Sequence, residues 1–164
     1  MTYGDEGSIT MADTARDIMT RNPITVGPGV SVTDAAKLMV ERNIGALPVV
    51  DGGVLLGLVT EGDLIMSDVR LQFPTYIHLL DGFIMYPPAT TRFEHELKKA
   101  VAAKVRDVMT AEPITVQASA TIEDVATLLV ERGISRVPVL DDDELVGIIT
   151  KSDVVRSMFG GHSS

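Results

Sequence analysis

RDIMTRNPITV, running from Arg16 to Val26, returns as RDVMTAEPITV from Arg106 to Val116. The register then holds without a gap to LLGLVTEGD, ending at Asp63, and LVGIITKSD, ending at Asp153. Roughly 22 of about 50 aligned positions are identical, where unrelated sequence would share about three; self-similarity at fixed spacing marks a repeat architecture. Two related copies in one chain tend to pack face to face, and what one copy does the other is expected to do.

Outward from these anchors, each copy reads as strand, helix, strand, strand, helix. Ile24-Thr25-Val26 follows Pro23 as a short β run. Ser31 opens a helix with Asp34 in the capping-box position, and Thr121 with Asp124 repeats the signal. Val32, Ala35, Ala36 and Met39 fall on one helical face, as do Ile122, Val125, Ala126 and Leu129. Asn43 and Gly133, the residue types that best tolerate a left-handed backbone, end the two helices. Leu47-Pro48-Val49-Val50 and Val137-Pro138-Val139-Leu140 are strands, with each Pro expected at a first residue or an edge. Turns follow at Asp51-Gly52-Gly53 and Asp141-Asp142-Asp143. The apolar runs Val54 to Val59 and Leu145 to Ile149 are predicted to be strands buried on both faces.

The expected division is a mobile N-terminal tail (1–11), a first repeat (12–66), a largely helical insert (67–103), a second repeat (104–160) and a mobile C-terminal tail (161–164). Within the insert, Ile77, Leu79, Leu80, Phe83, Ile84 and Met85 form an apolar patch that Pro87-Pro88 interrupts. A helix marked by Phe93, Leu97, Ala100 and Val101 leads into the second repeat. The insert is expected to pack on the core or on a partner subunit.

Composition narrows the function. The 164 residues suit one compact unit or two small halves sharing a core. With no Cys, disulfides, thiolate metal sites and a cysteine nucleophile are excluded. A net charge of −9 argues against general binding to nucleic acid or an anionic membrane surface. Asp5 and Glu6 stand where a secretory leader would be basic, and the apolar runs are too short to span a bilayer, so a cytoplasmic setting is expected. His95-Glu96 begins like H-E-x-x-H, but Lys99 replaces the second His, and no P-loop or G-x-S-x-G occurs. No catalytic constellation is visible, and the chain does not read as an enzyme. The acidic run from Asp141 to Glu144 reads as a solvated hairpin tip, with a cation site as the lesser reading. Met19 and Met109 read as packing residues, and Glu41-Arg42 and Glu131-Arg132 as solvated helix ends.

Chemistry concentrates where the last strand of each copy meets its last helix, at Thr60-Glu61-Gly62-Asp63 and Thr150-Lys151-Ser152-Asp153. One reading of this T-x-x-D is purely local: Thr caps the helix, and Asp at the third helical position favours the dipole. The other is functional. A carboxylate accepts hydrogen bonds from a vicinal diol such as a ribose, while a hydroxyl and helix-start amides suit a phosphate. Gly57 and Gly147, just upstream, would let another group approach.

At this point the chain resembles the CBS-domain family, over both copies and about two-thirds of its length. The resemblance is carried by RDIMT and RDVMT with PITV, by IGALPVVD and ISRVPVLD, and by GLVTEGD and GIITKSD. It implies an α/β (α+β) fold: a tandem pair, or Bateman module, of two βαββα units related by a pseudo-two-fold axis. It implies clefts between the repeats that take AMP, ADP, ATP, S-adenosylmethionine or related adenosyl ligands, with no cofactor required. Carried over to this sequence, Asp63 and Asp153 would hold the ribose, and Thr60 and Thr150 would lie near ribose or phosphate. Thr25, Ala46 and Leu47 would line one base pocket, Thr115 and Val137 the other; Leu47 and Val137 also read simply as core. The resemblance further implies a homodimer and a regulated partner protein. The competing readings are an interaction module without ligand and a divalent-cation sensor.

The copies differ at this junction. Ala46 corresponds to Arg136, and Glu61 to Lys151. A phosphate would therefore favour the second copy, because charge-assisted hydrogen bonds contribute roughly 1.5–3 kcal/mol each. The first copy would be empty or prefer a less anionic adenosyl ligand. The alternative for Arg136 is a surface pair with Asp141 to Asp143.

Overall fold

The computed structural model describes residues 14–72 and 103–160. The first copy runs α1 (Ala15–Ile18), β1 (Thr20–Arg21), α2 (Val32–Arg42), β2 (Ala46–Asp51), β3 (Val54–Thr60) and α3 (Glu61–Gln72). The second runs α4 (Val105–Val108), β4 (Thr110–Ala111), β5 (Val116–Gln117), α5 (Ile122–Glu131), β6 (Arg136–Asp141), β7 (Glu144–Thr150) and α6 (Lys151–Phe159). The fold is mixed α+β with two sheets. Both expected tails, and the insert between Gln72 and Ala103, lie outside the described residues. So do the apolar patch and the helix expected there.

The chain gathers into two compact units that do not follow the repeats. Residues 14–23 join 114–160 in what we call the C unit, and 103–113 join 24–72 in the N unit. Each unit thus takes its leader from the other copy. In the C unit the strand order is β1-β7-β6-β5, with Thr20 opposite Ile148 and Arg21 opposite Gly147. In the N unit it is β2-β3-β4, with Gly57 opposite Ala111 and Leu58 opposite Thr110. Backbone bonds tie each leader to the helix-start loop: Ala15 N–H donates to Ala120 O at 2.8 Å, and Val105 N–H to Val30 O at 2.8 Å.

This exchange explains the glycines. A Cβ on Gly57 would lie 2.8 Å from the Thr110 carbonyl oxygen and closer still to Met109 Sδ. A Cβ on Gly147 would collide with the Met19 side chain. The group that approaches each glycine is therefore a leader methionine. Met19 and Ala15 enter the core of the C unit beside Val125, Leu129, Val137, Val139 and Ile149. Val105 enters the core of the N unit beside Ala35, Met39, Leu47, Val49 and Val59. Burying one such aliphatic side chain contributes about 1.5–3 kcal/mol.

Local expectations fare unevenly. On α2 and α5 the apolar stripe faces inward, with Ala35, Met39, Val125 and Leu129 buried. Asn43 closes α2 at φ 52°, and Gly133 follows α5 at φ 60°. Ser31 and Thr121 accept from the Asp34 and Asp124 amides, but neither Asp returns the bond, so only half of each expected box forms. The first β run is shorter than expected. Val26 makes a single parallel bridge to Val49, whereas its counterpart Val116 opens the two-residue β5.

Pro48 and Pro138 sit third in their strands, not first. Val26 N–H donates to Pro48 O at 3.0 Å, so the proline's missing donor faces the side of that short segment, upstream of where pairing begins. The ladder therefore loses no bond. The runs Val54 to Val59 and Leu145 to Ile149 are not buried throughout. Val54 is exposed, and burial begins at Gly57 and Gly147. Both hairpins carry a register shift at the same place, between Val49 and Val50 and between Val139 and Leu140. The N-unit turn uses Gly52 and Gly53 at φ 56° and 81°, as a type I′ hairpin requires.

Candidate ligand-binding site

The two T-x-x-D segments form the same reciprocal cap. In the N unit the Thr60 N–H and hydroxyl donate to Asp63 Oδ2 at 2.8 and 3.0 Å, and Asp63 N–H donates back to Thr60 Oγ1 at 3.4 Å. In the C unit Thr150 N–H and hydroxyl donate to Asp153 Oδ2 at 2.8 and 2.9 Å, and Asp153 N–H returns the bond at 3.4 Å. The local reading of the motif is thus realised in both copies. It does not use up the site. Each box engages one carboxylate oxygen, Oδ2, and leaves Oδ1 as an acceptor at the start of a helix. The Thr hydroxyl protons are already committed, so Thr60 and Thr150 meet a ligand as acceptors, not as phosphate donors.

The neighbouring strand completes each junction. Ala46 pairs with Thr60 across β2 and β3, and Arg136 with Thr150 across β6 and β7. The first helical residues are pinned to the preceding loop: Glu61 N–H donates to Gly45 O at 3.2 Å, and Lys151 N–H to Ser135 O at 3.0 Å. Thr25 and Thr115 stand one residue before the Val26 and Val116 pairings on the far side of β2 and β6. Thr25 is exposed and Thr115 half-buried. Leu47 and Val137 are fully buried members of the two cores, so the structure gives them a packing role. The N unit therefore gathers Thr25, Ala46, Leu47, Thr60 and Asp63, and the C unit gathers Thr115, Arg136, Val137, Thr150, Lys151 and Asp153.

Electrostatics separate the junctions. Arg136 Nε is buried and, among the described residues, lacks a hydrogen-bond partner. Among the described residues no ion pair joins Arg136 to Asp141, Asp142 or Asp143, and Asp141 pairs with Arg16 of the leader. An unpartnered buried donor is costly unless something accepts from it. Arg156 supplies a feature the motif reading missed: its Nη1 lies 3.3 Å from Asp153 Oδ1, one helical turn along. The signal was the D-x-x-R spacing. The corresponding residue in the N unit is Met66, and among the described residues no donor reaches Asp63 Oδ1. Among the described residues no group of three His, Cys, Asp or Glu side chains could hold a metal. No helix among them is long and apolar enough to cross a membrane.

Two leader–sheet units, each with a strand-to-helix Thr/Asp junction, define a tandem CBS pair. The CBS domain model matches residues 15–69 and 105–160, and the chain belongs to that family. It is 32% identical over 151 residues to the Methanocaldococcus jannaschii protein MJ1426, covering 87% of this chain and 89% of that one. It is 36% identical over 157 residues to the CBS domain-containing protein CBSX2, chloroplastic, of Arabidopsis thaliana, covering 88% of this chain and 63% of that relative's length. The crystal structure of CBSX2 in complex with AMP superposes with a TM-score of 0.68 at 33% identity, covering 90% of this chain and 96% of that one. The CBS domain pair of protein MJ0100 in complex with 5′-methylthioadenosine and S-adenosyl-L-methionine gives 0.67 at 28% identity, covering 92% and 98%.

Proposed function

We propose that this chain is a non-catalytic regulatory module that binds adenosyl ligands at its two T-x-x-D junctions. AMP, ADP, ATP and S-adenosylmethionine are the ligand class, and no cofactor is required. The observation that carries the reading is the duplicated box. In each copy the box fixes the Asp carboxylate through Oδ2, so Oδ1 is pre-positioned to accept a ribose hydroxyl at little entropic cost, at Asp153 alongside the bond it already accepts from Arg156. The AMP bound by CBSX2 and the adenosyl compounds bound by MJ0100 support it. Ligand would act by its different affinity for two conformations of the module, passing the bound state to a partner protein or across a homodimer. Exposed apolar residues on the last helix of each copy, Ile65 and Met66 on α3 and Val155, Met158 and Phe159 on α6, favour such a contact. A cytoplasmic setting belongs to the same proposal.

The test is thermal unfolding with AMP, ADP, ATP, S-adenosylmethionine and Mg²⁺. A ligand at about 100 times its Kd should stabilise the fold by about 2.7 kcal/mol. Asp153→Ala should abolish most of the nucleotide response, and Asp63→Ala should change the response of the other junction. If no adenosyl ligand shifts the transition, the interaction-module reading replaces this one. A shift with Mg²⁺ alone would favour a cation sensor.

A further inference from the structure

We infer that the two junctions sort adenosyl ligands by the charge of the 5′ substituent. The C unit takes a phosphorylated adenosine, and the N unit takes one with a neutral or cationic group. The inference rests on the adenosyl reading above and specifies it.

Three observations converge. First, the C-unit junction carries Arg136, Lys151 and Arg156 around Asp153, whereas the same positions in the N unit are Ala46, Glu61 and Met66 around Asp63. Second, the Arg136 Nε–H is buried without an acceptor among the described residues, on the strand position that pairs with Thr150. A phosphate oxygen is an acceptor of the right charge, and a shift of the Arg136 side chain toward it would satisfy a donor otherwise left unpaired. Third, Arg156 sits against Asp153 Oδ1 and offsets its charge, while among the described residues the Asp63 carboxylate has no such neighbour. A phosphate approaching the C unit meets net positive charge at a helix N-terminus. Among the described residues at the N-unit junction, one approaching meets Glu61 and Asp63, with the helix dipole to oppose them. A sulfonium or thioether there meets no such penalty, and a sulfonium gains from both carboxylates. The backbone scaffold is the same in both, so side-chain charge sets the preference.

Isothermal titration of the full chain reads this directly. AMP should fill one equivalent, and 5′-methylthioadenosine should then fill a second on the AMP-saturated protein. Arg136→Ala should weaken AMP by about tenfold to a hundredfold while adenosine changes by less than about threefold, the expected loss of a charge-assisted contact. Glu61→Lys, at an exposed position, should give the N unit measurable AMP affinity. Should that variant fold poorly, Lys151→Met provides the reciprocal loss in the C unit. AMP filling two equal sites in the unaltered chain would overturn the sorting, as would Arg136→Ala weakening AMP and adenosine alike. Adenosyl binding without charge preference sinks this inference alone; no adenosyl binding at all sinks the functional reading with it.

Discussion

Gly57 lies under Met109 in the N unit and Gly147 under Met19 in the C unit, and a few residues along the same strands Thr60 and Thr150 close on matching boxes. Yet Ala46 faces Thr60 where Arg136 faces Thr150, and Met66 stands where Arg156 pairs with Asp153. The leader-facing glycine and the Thr–Asp box are the same in the two units; the positions that fix charge at the junction are not. The comparison teaches that scaffold and selectivity are separable here. A glycine under a methionine and a Thr–Asp box are steric and hydrogen-bond requirements with few solutions. The charge beside them can change without disturbing either.

The leaders give the strongest way to break the equivalence. Met19 is 8% exposed and lies in the C-unit core, whereas Met109 is half-buried at the edge of the N-unit core. Met19→Ala should cost about 2–4 kcal/mol in urea unfolding, and Met109→Ala visibly less. Equal losses would mean the leaders are docked alike. The glycines sharpen the same contrast. Gly57→Ala and Gly147→Ala should each destabilise by about 1–3 kcal/mol through overpacking. Adding Met19→Ala to Gly147→Ala should relieve part of the clash, because only the Met19 side chain is struck. Adding Met109→Ala to Gly57→Ala should relieve less, since the Thr110 carbonyl remains in the way.

The smallest effects belong to the leader surface of the C unit. Arg16→Ala should cost no more than about 1 kcal/mol, and less in high salt, because its partner Asp141 is exposed. Beside it, the Asp17 carboxyl is held below its ordinary value of 3.8, first by the Thr14 backbone N–H, then by the Thr14 hydroxyl, with smaller help from Arg21 and Arg16. A depressed carboxyl favours the fold above its unfolded pKa, and that contribution fades as pH falls through the lower folded value. Asp17→Asn should therefore differ from the unaltered chain at neutral pH and converge with it in acid. A denaturation series across pH checks this.

Much of this was legible in the chain. The helix stripes ending at Asn43 and Gly133, the hairpins and the T-x-x-D boxes are local, set by contacts within a few residues, and their spacing betrays them. Two pairs of corresponding positions were readable for a different reason: Ala46 against Arg136 and Glu61 against Lys151 stand out because the chain supplies its own comparison. Arg156 was within reach too, through its spacing from Asp153, but a single charged residue on an exposed helix face carries little signal alone.

What only the tertiary structure decided is non-local. The sequence presents RDIMT as the start of the first copy; the fold spends it on the sheet of the second, where β1 pairs with β7 and Met19 covers Gly147. Repeat identity cannot reveal such an exchange, because a leader that fits one copy's sheet fits the other's equally well. The same holds for the Arg136 Nε, which has no partner among the described residues. Its residue type and position are written in the chain, but whether a partner reaches it depends on which leader and which side chains three-dimensional packing brings alongside.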